Sequence, residues 1–148
     1  MANPGPASTQ SIHPQGLLSN QALRLIAVAK GVNLGVLGDT AIPVIDTSNY
    51  AAATVITANA NNAGSAVASI SSVYLGVYNL PSQGGSNAIL TAAALSSNSA
   101  TTDVKVVASS SPAYNQSATN LYVNVATATA TGTVDVYVYG YDLSGPQQ

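Results

Sequence analysis

Residues 121–142, LYVNVATATATGTVDVYVYGYD, decide the fold of this chain. Apolar and polar residues alternate through both halves of this stretch, which is the period of a β-strand with one buried face. Gly132, between the halves, can supply the positive φ that a tight turn needs. We therefore predict a β-hairpin with a two-residue turn at Thr131 and Gly132.

The predicted hairpin has a valine side and a tyrosine side. In its register Gly140 lies opposite Val123, which leaves room for a packing neighbour. The valine side is the predicted core face, made of Val123, Val125, Thr127 and Thr129 on one strand and Val134, Val136 and Val138 on the other. The other side pairs Tyr122 with Tyr141, Asn124 with Tyr139 and Ala126 with Tyr137.

The tyrosine side has two interpretations. Tyrosine is enriched in the buried centres of protein interfaces, so Tyr122, Tyr137, Tyr139 and Tyr141 are candidate contacts with another subunit. The alternative is that a second sheet covers these tyrosines as part of the ordinary core.

Upstream residues predict further short strands separated by turns. Leu23 to Lys30 alternates with a period of two, and residues 31–46 read as a glycine-punctuated connection. Ala88 to Leu95 fits either a short helix or a strand, and the β context favours a strand. The other predicted strands are Tyr50 to Ala58, Val67 to Tyr78 and Val104 to Ala108. Together they predict an all-β fold, an antiparallel β-sandwich that forms a single domain over residues 20–148.

Residues 1–19 form a separate segment, which we interpret as an extended Pro-rich N-terminal arm. Pro4, Pro6 and Pro14 disfavour a helix or a central strand. The arm either stays disordered or drapes over an adjacent subunit, with Ile12, Leu17 and Leu18 as its anchors. The segment lacks the basic start and apolar run of a secretory signal.

Composition favours a structural protein. Only 5% of the 148 residues are charged, against roughly a quarter in an ordinary soluble domain. A net charge of −2 from so few groups makes no basic surface, so we expect no nucleic-acid binding. No run of about 18 apolar residues is present, so we expect no membrane span. Without cysteine, neither disulfides nor thiolate metal sites can form.

Residue types that perform chemistry are scarce, and we expect no enzyme activity, no cofactor and no metal site. The one histidine, His13, lies in the arm, where nothing anchors it for a catalytic triad. Asp39 and Asp46 are read as residues that cap turns by accepting backbone hydrogen bonds. Asp135 is read as a solvated residue near a sheet edge, where a charge would also discourage edge-to-edge aggregation.

Three stretches resemble small virion proteins of tailed bacteriophages. They are residues 29–43, AKGVNLGVLGDTAIP, residues 73–78, VYLGVY, with the Gly84-Gly85 loop, and residues 134–143, VDVYVYGYDL. Such proteins are often capsid decoration, or cement, proteins. The resemblance implies a β-sandwich or jelly-roll-like body, commonly a homotrimer, bound to the major capsid protein outside the shell where capsomers meet.

The leading hypothesis is therefore a capsid decoration protein, made in the host cytoplasm and located on the virion surface. A tail, fibre or adhesin subunit is a second hypothesis. A third is a glycan-binding module that uses Tyr137, Tyr139 and Tyr141 as a stacking platform.

Overall fold

The computed structural model describes residues 23–59, 73–82, 88–95, 102–106, 116–127 and 132–144, with backbone alone for Asn59 and residues 102–106. These residues form strands, and no helix occurs among them. The strands are β1 (Arg24–Asn33), β2 (Gly38–Pro43), β3 (Tyr50–Asn59), β4 (Tyr74–Tyr78), β5 (Ala88–Ala94), β6 (Thr102–Val106), β7 (Asn120–Thr127) and β8 (Thr133–Asp142).

The strands form two antiparallel sheets of four strands each. The first sheet has the order β1-β8-β3-β6, and the second has the order β2-β7-β4-β5. The chain therefore pairs β1 with β8, β2 with β7, β3 with β6 and β4 with β5. Two further pairings, β3 with β8 and β4 with β7, complete the sheets. The all-β prediction is confirmed.

Both sheets contribute to one hydrophobic cluster, which gives a sandwich-like arrangement. Burial alternates along β8, where Val134, Val136 and Val138 are buried and their neighbours are half-buried. Val123 and Val125 of β7 join the same cluster from the second sheet. The predicted core face is confirmed for these five valines, because β-branched side chains at alternate positions fill the space between two pleated surfaces. It is wrong for Thr127, which is exposed at the end of β7, and Thr129 lies outside the described residues.

The predicted hairpin is wrong, although its two strands exist. β7 and β8 lie in different sheets, so Tyr122 pairs with Ala41 and Tyr78 instead of Tyr141. Gly132 has a φ of 147°, but its carbonyl accepts a hydrogen bond from the Leu34 N–H at 2.9 Å. Alternation identifies which face of a strand is buried, but it carries no information about the neighbouring strand.

Gly140 permits a close backbone contact. A Cβ at this position would lie 2.1 Å from the carbonyl oxygen of Ala51 on β3. The sequence predicted that Gly140 makes room for a neighbour. The neighbour is the β3 backbone, and the predicted pairing of Gly140 with Val123 is wrong, because Gly140 pairs with Arg24 and Ala52.

Strand predictions elsewhere are largely confirmed. β1 and β3 begin within one residue of their predicted starts, and Ala88–Ala94 is a strand. β4 accounts for the end of the segment predicted from Val67, whose first six residues lie outside the described residues. β2 was missed, because its short exposed run of Gly, Asp, Thr and Pro has the composition of a loop.

Candidate interaction face

The outer surface of the first sheet is the candidate functional site. Its central strand β8 places Tyr137, Tyr139 and Tyr141 at alternate positions, away from the buried valines. We call this surface the tyrosine face; its members on the described strands are Leu25, Val28, Thr54, Ile56, Tyr137, Tyr139 and Tyr141.

Register explains how the face is assembled. Tyr139 lies between Leu25 on β1 and Thr54 on β3. Tyr137 lies in the same way between Val28 and Ile56. These neighbours carry branched or bulky side chains, so the tyrosine rings stay half-buried, and Tyr141 is 37% exposed. The result is a largely apolar surface with phenol groups.

An ion pair bounds this face at one end. The Lys30 ammonium lies 3.0 Å from Asp135 Oδ2, and the Gly31 N–H donates to Asp135 Oδ1 at 2.8 Å. Lys30 also hydrogen-bonds the Tyr137 hydroxyl and lies 4.4 Å from the centre of that ring, within cation–π range. The prediction that Asp135 lies near a sheet edge is wrong, because β8 lies between β1 and β3.

These contacts perturb the protonation of both partners. The hydrogen bond from the Gly31 N–H, followed by the Lys30 contact, lowers the pKa of Asp135 despite the opposing effect of burial. Hydrogen bonds to Tyr137 and then Asp135 raise the pKa of Lys30. Both side chains are therefore charged at neutral pH, and each compensates the other.

A second ion pair closes the other end of the β1–β8 pair. Arg24 Nη1 donates to Asp142 Oδ2 at 2.8 Å, and Thr47 Oγ1 donates to Asp142 Oδ1 at 2.7 Å. Ser144 adds its backbone N–H to the same carboxylate oxygen at 2.9 Å. Burial opposes ionisation of Asp142, but the hydrogen bonds and the Arg24 charge together lower its pKa.

Among the described side chains of the tyrosine face, charge is confined to the Lys30–Asp135 pair at one end, whereas Arg24 and Asp142 lie on the side of Gly140. Sequence reasoning missed both ion pairs, because Lys30 and Asp135 are 105 residues apart, and Arg24 and Asp142 are 118 residues apart. A partner that packs on this face therefore needs no complementary charge.

Tyr122 does not belong to the tyrosine face. It lies on β7 in the second sheet, where it borders a shallow cavity with Asn79, Leu80, Ala118, Thr119 and Asn120. The predicted set of four tyrosines is therefore divided between the sheets. The other three predicted contacts, Ile12, Leu17 and Leu18, lie outside the described residues, as does His13.

On the second sheet, Asp39 and Asn124 form hydrogen bonds within the sheet's own surface. Asp39 accepts hydrogen bonds from Asn124 Nδ2 at 2.6 Å and from the Ser82 N–H at 2.7 Å. Asp39 lies in a strand, so the prediction that it caps a turn is wrong, although it does accept a backbone N–H. Asn124, which the sequence placed opposite Tyr139, is buried here beside Asp39.

Acidic and metal-binding groups are sparse in this structure. Within the described ranges, no three side chains of His, Cys, Asp or Glu come together as metal ligands. The described residues also contain no helix long and apolar enough to cross a membrane.

Comparison with protein-family models, with curated proteins and with solved structures finds no match. The candidate function therefore rests on the geometry of the tyrosine face and on the sequence resemblance described above.

Proposed function

We propose that the chain is a structural subunit that decorates and stabilises the exterior of a bacteriophage capsid. The observation that carries the proposal is the tyrosine face. It presents three half-buried or exposed tyrosines on a central strand, beside the Lys30–Asp135 ion pair at one end. Tyrosine buries a large area while freezing few rotamers, which suits a subunit contact.

The strand pairing supports a jelly-roll body as the specific form of the fold. In the pairs β1–β8, β2–β7, β3–β6 and β4–β5, the strand numbers sum to nine. Folding one long antiparallel ribbon over itself produces such a series. Eight-stranded jelly rolls are common among viral capsid proteins and lectins.

Stabilisation of the shell follows from mass action. A subunit that binds the assembled capsid and not its separate parts adds its binding free energy to the assembled state. Bridging between capsomers by a homotrimer of this chain multiplies weak contacts into strong attachment. The proposal gives the chain a place on the virion surface after synthesis in the host cytoplasm, with no catalytic role and no cofactor.

Glycan binding is the second candidate. Alternate residues of a strand are about 6.8 Å apart, so Tyr137, Tyr139 and Tyr141 offer a row of rings on which sugar rings could stack. The lectin members of the jelly-roll class make this candidate relevant. It predicts that an oligosaccharide binds the isolated chain, whereas the decoration proposal predicts binding to particles.

Quantitative mass spectrometry of purified particles tests the proposal directly. A copy number comparable to that of the major capsid protein supports decoration. A handful of copies would favour a tail, fibre or adhesin subunit, and absence from the particles would overturn both virion hypotheses.

A matched pair of variants connects the test to the tyrosine face. Tyr139→Ala should weaken binding to particles by about 30-fold, the equivalent of about 2 kcal/mol at an interface hot spot. Tyr74→Ala is the control, because Tyr74 is 45% exposed on the second sheet. Equal effects of the two variants, with β-type circular dichroism retained, would remove the tyrosine face from the proposed contact.

A further inference from the structure

We infer that the tyrosine face binds residues 12–18 of a second copy of this chain. The inference rests on the proposed function, since it names a partner for the face that the function requires. Three features carry it: the absence of unpaired charge among the described side chains of the face, the composition of residues 1–22, and the point at which the chain enters β1.

The face selects an uncharged occupant. The charged side chains at its end, Lys30 and Asp135, pair with each other. A charged segment placed against Val28, Tyr137 and Ile56 would lose hydration without gaining a partner. An apolar segment with small polar residues loses little hydration and buries aliphatic surface area.

Residues 1–22 have the required composition. They contain no Asp, Glu, Lys or Arg, and their large aliphatic side chains include Ile12, Leu17 and Leu18. Pro14 between these anchors lacks an N–H, so the segment is better suited to packing on the face of a sheet than to pairing along its edge.

The entry point of the chain places this segment near the tyrosine face. Arg24 pairs with Gly140, so the chain enters β1 at the end of the sheet where Tyr141 lies. Leu23, the preceding residue, is 51% exposed there. Tyr141 and Leu143 are also exposed at this end.

The direction of β1 favours a neighbouring copy over the chain's own face. Extending β1 backward from Arg24 leads off the sheet, and covering its own tyrosine face would require a reversal between Leu18 and Leu23. That interval is Ser-Asn-Gln-Ala, and docking on a neighbouring copy needs no reversal within it.

The length of the segment before β1 permits contact with an adjacent copy. Ile12 can lie up to about 36 Å from Leu23 in an extended chain, whereas the outer strands of a four-stranded sheet are about 14 Å apart. The anchors can therefore reach beyond the chain's own sheet to the tyrosine face of an adjacent copy.

Disulfide trapping tests the inference on the purified chain, in the absence of capsids. The protein has no cysteine, so introduced thiols are the only ones present. Chains with Leu18→Cys are mixed with size-tagged chains carrying Ile56→Cys and oxidised mildly. We expect at least about tenfold more of the mixed dimer than with Thr91→Cys, because docking raises the effective concentration of the two thiols.

Thr91→Cys is a demanding control. Thr91 is exposed on β5 of the second sheet, whereas Ile56 is half-buried, so random collision favours the control. Equal yields would overturn the inference. So would a predominantly intramolecular disulfide when Leu18→Cys and Ile56→Cys are placed in one chain, since that result assigns the face to its own arm.

Truncation supplies an independent measurement. Deleting residues 1–19 should convert an oligomer into a monomer in light scattering, with the β-type circular dichroism retained. An unchanged oligomer would overturn the inference. If the disulfide between copies forms but purified particles contain no copies of the chain, the decoration proposal is rejected and the inference stands. If particles contain abundant copies but the disulfide between copies does not form, the inference is rejected and the decoration proposal stands.

Discussion

Tyr78 on the second sheet and the tyrosines of the first sheet have different environments. On the second sheet Tyr78 is only 4% exposed, because its ring lies over Gly76 and its hydroxyl accepts a hydrogen bond from the Ala92 N–H at 3.3 Å. On the first sheet Tyr137 and Tyr139 have no glycine beside them in the register, and their rings stay half-buried. Gly76 lets the second sheet absorb the ring of Tyr78, whereas nothing comparable lies beside Tyr137 and Tyr139.

The largest expected effect concerns Gly140, because the first sheet, like the second, has a glycine at a close contact. Gly140→Ala should lower the free energy of unfolding by more than about 3 kcal/mol, since its Cβ would meet the backbone oxygen of Ala51 at 2.1 Å. Urea denaturation measures the loss. Gly31→Ala is the control: nothing lies within 4 Å of its Cβ, and its φ of 66° alone should cost about 1 kcal/mol. Similar losses for both variants would show that the β3 and β8 backbones can separate at little cost.

Removing one tyrosine from each sheet tests the contrast itself. Tyr78→Ala should cost about 3 kcal/mol, as expected for a buried aromatic side chain. Tyr139→Ala should cost about 1 kcal/mol in the isolated chain, because part of its ring is exposed before the change. Thermal and urea unfolding compare the two variants at equal concentration. A larger loss for Tyr139→Ala would mean that the tyrosine face is a structural part of the isolated domain.

Sequence alone predicted the local features of this fold better than its long-range pairing. Alternation identified the buried valines at 134, 136 and 138 and the outward tyrosines between them. It could not reveal that β7 and β8 separate into different sheets, because two strands with the same alternation can pair with any neighbour that presents an apolar face. The ion pairs and the packing of the Tyr78 ring against Gly76 also depend on strand register, which short-range sequence patterns do not encode.

Tyr50 adds a third environment to the comparison, between the sheets. It is fully buried, its hydroxyl donates to the Ala118 carbonyl at 3.1 Å, and burial raises its pKa to about 12. In the unfolded chain this phenol ionises near pH 10, while the folded protein keeps its proton. The contribution of Tyr50 to the free energy of unfolding is therefore fully present below pH 10. It falls by about 2 kcal/mol as the pH rises from about 10 to 12.

Tyr50→Phe tests this pH dependence. The variant should lose stability at pH 7, because the Ala118 carbonyl loses its donor, and it should show a smaller decline between pH 10 and 12. Urea denaturation at each pH gives both quantities. A decline as steep as that of the unaltered protein would assign the alkaline sensitivity to other groups.

Adding a methyl group at Gly76 should leave Tyr78 partly exposed, like the tyrosines of the first sheet. A Cβ there would lie 2.7 Å from Tyr78 Cε2 and 3.0 Å from the Ala92 backbone nitrogen. The ring can swing outward, so Gly76→Ala should cost about 1–2 kcal/mol and increase the exposure of Tyr78. Quenching of tyrosine fluorescence by acrylamide detects that exposure, with Tyr78→Phe as the matched background. Unchanged quenching would show that the sheet, and not the ring, has moved.

The smallest effect concerns the ion pair that bounds the tyrosine face. The lowered pKa of Asp135 means that its stabilising contribution is present above the ordinary aspartate pKa near 4 and is lost as the pH falls through the lower folded value. Asp135→Asn should lower the free energy of unfolding by about 1 kcal/mol at pH 7, chiefly by weakening the acceptor for the Gly31 N–H. It should also reduce the loss of stability as the pH falls below the ordinary aspartate pKa near 4.

Asp39→Asn is the counterpart on the second sheet, where the carboxylate accepts from Asn124 and the Ser82 N–H and forms no ion pair among the described residues. Added salt should weaken the Asp135 contribution more than that of Asp39, because only the former involves an exposed ammonium, that of Lys30 at 61% exposure. Equal salt sensitivity would mean that the Gly31 hydrogen bond, and not the Lys30 charge, secures this end of the tyrosine face. In that case the face would keep its uncharged character even where high salt screens its ion pair.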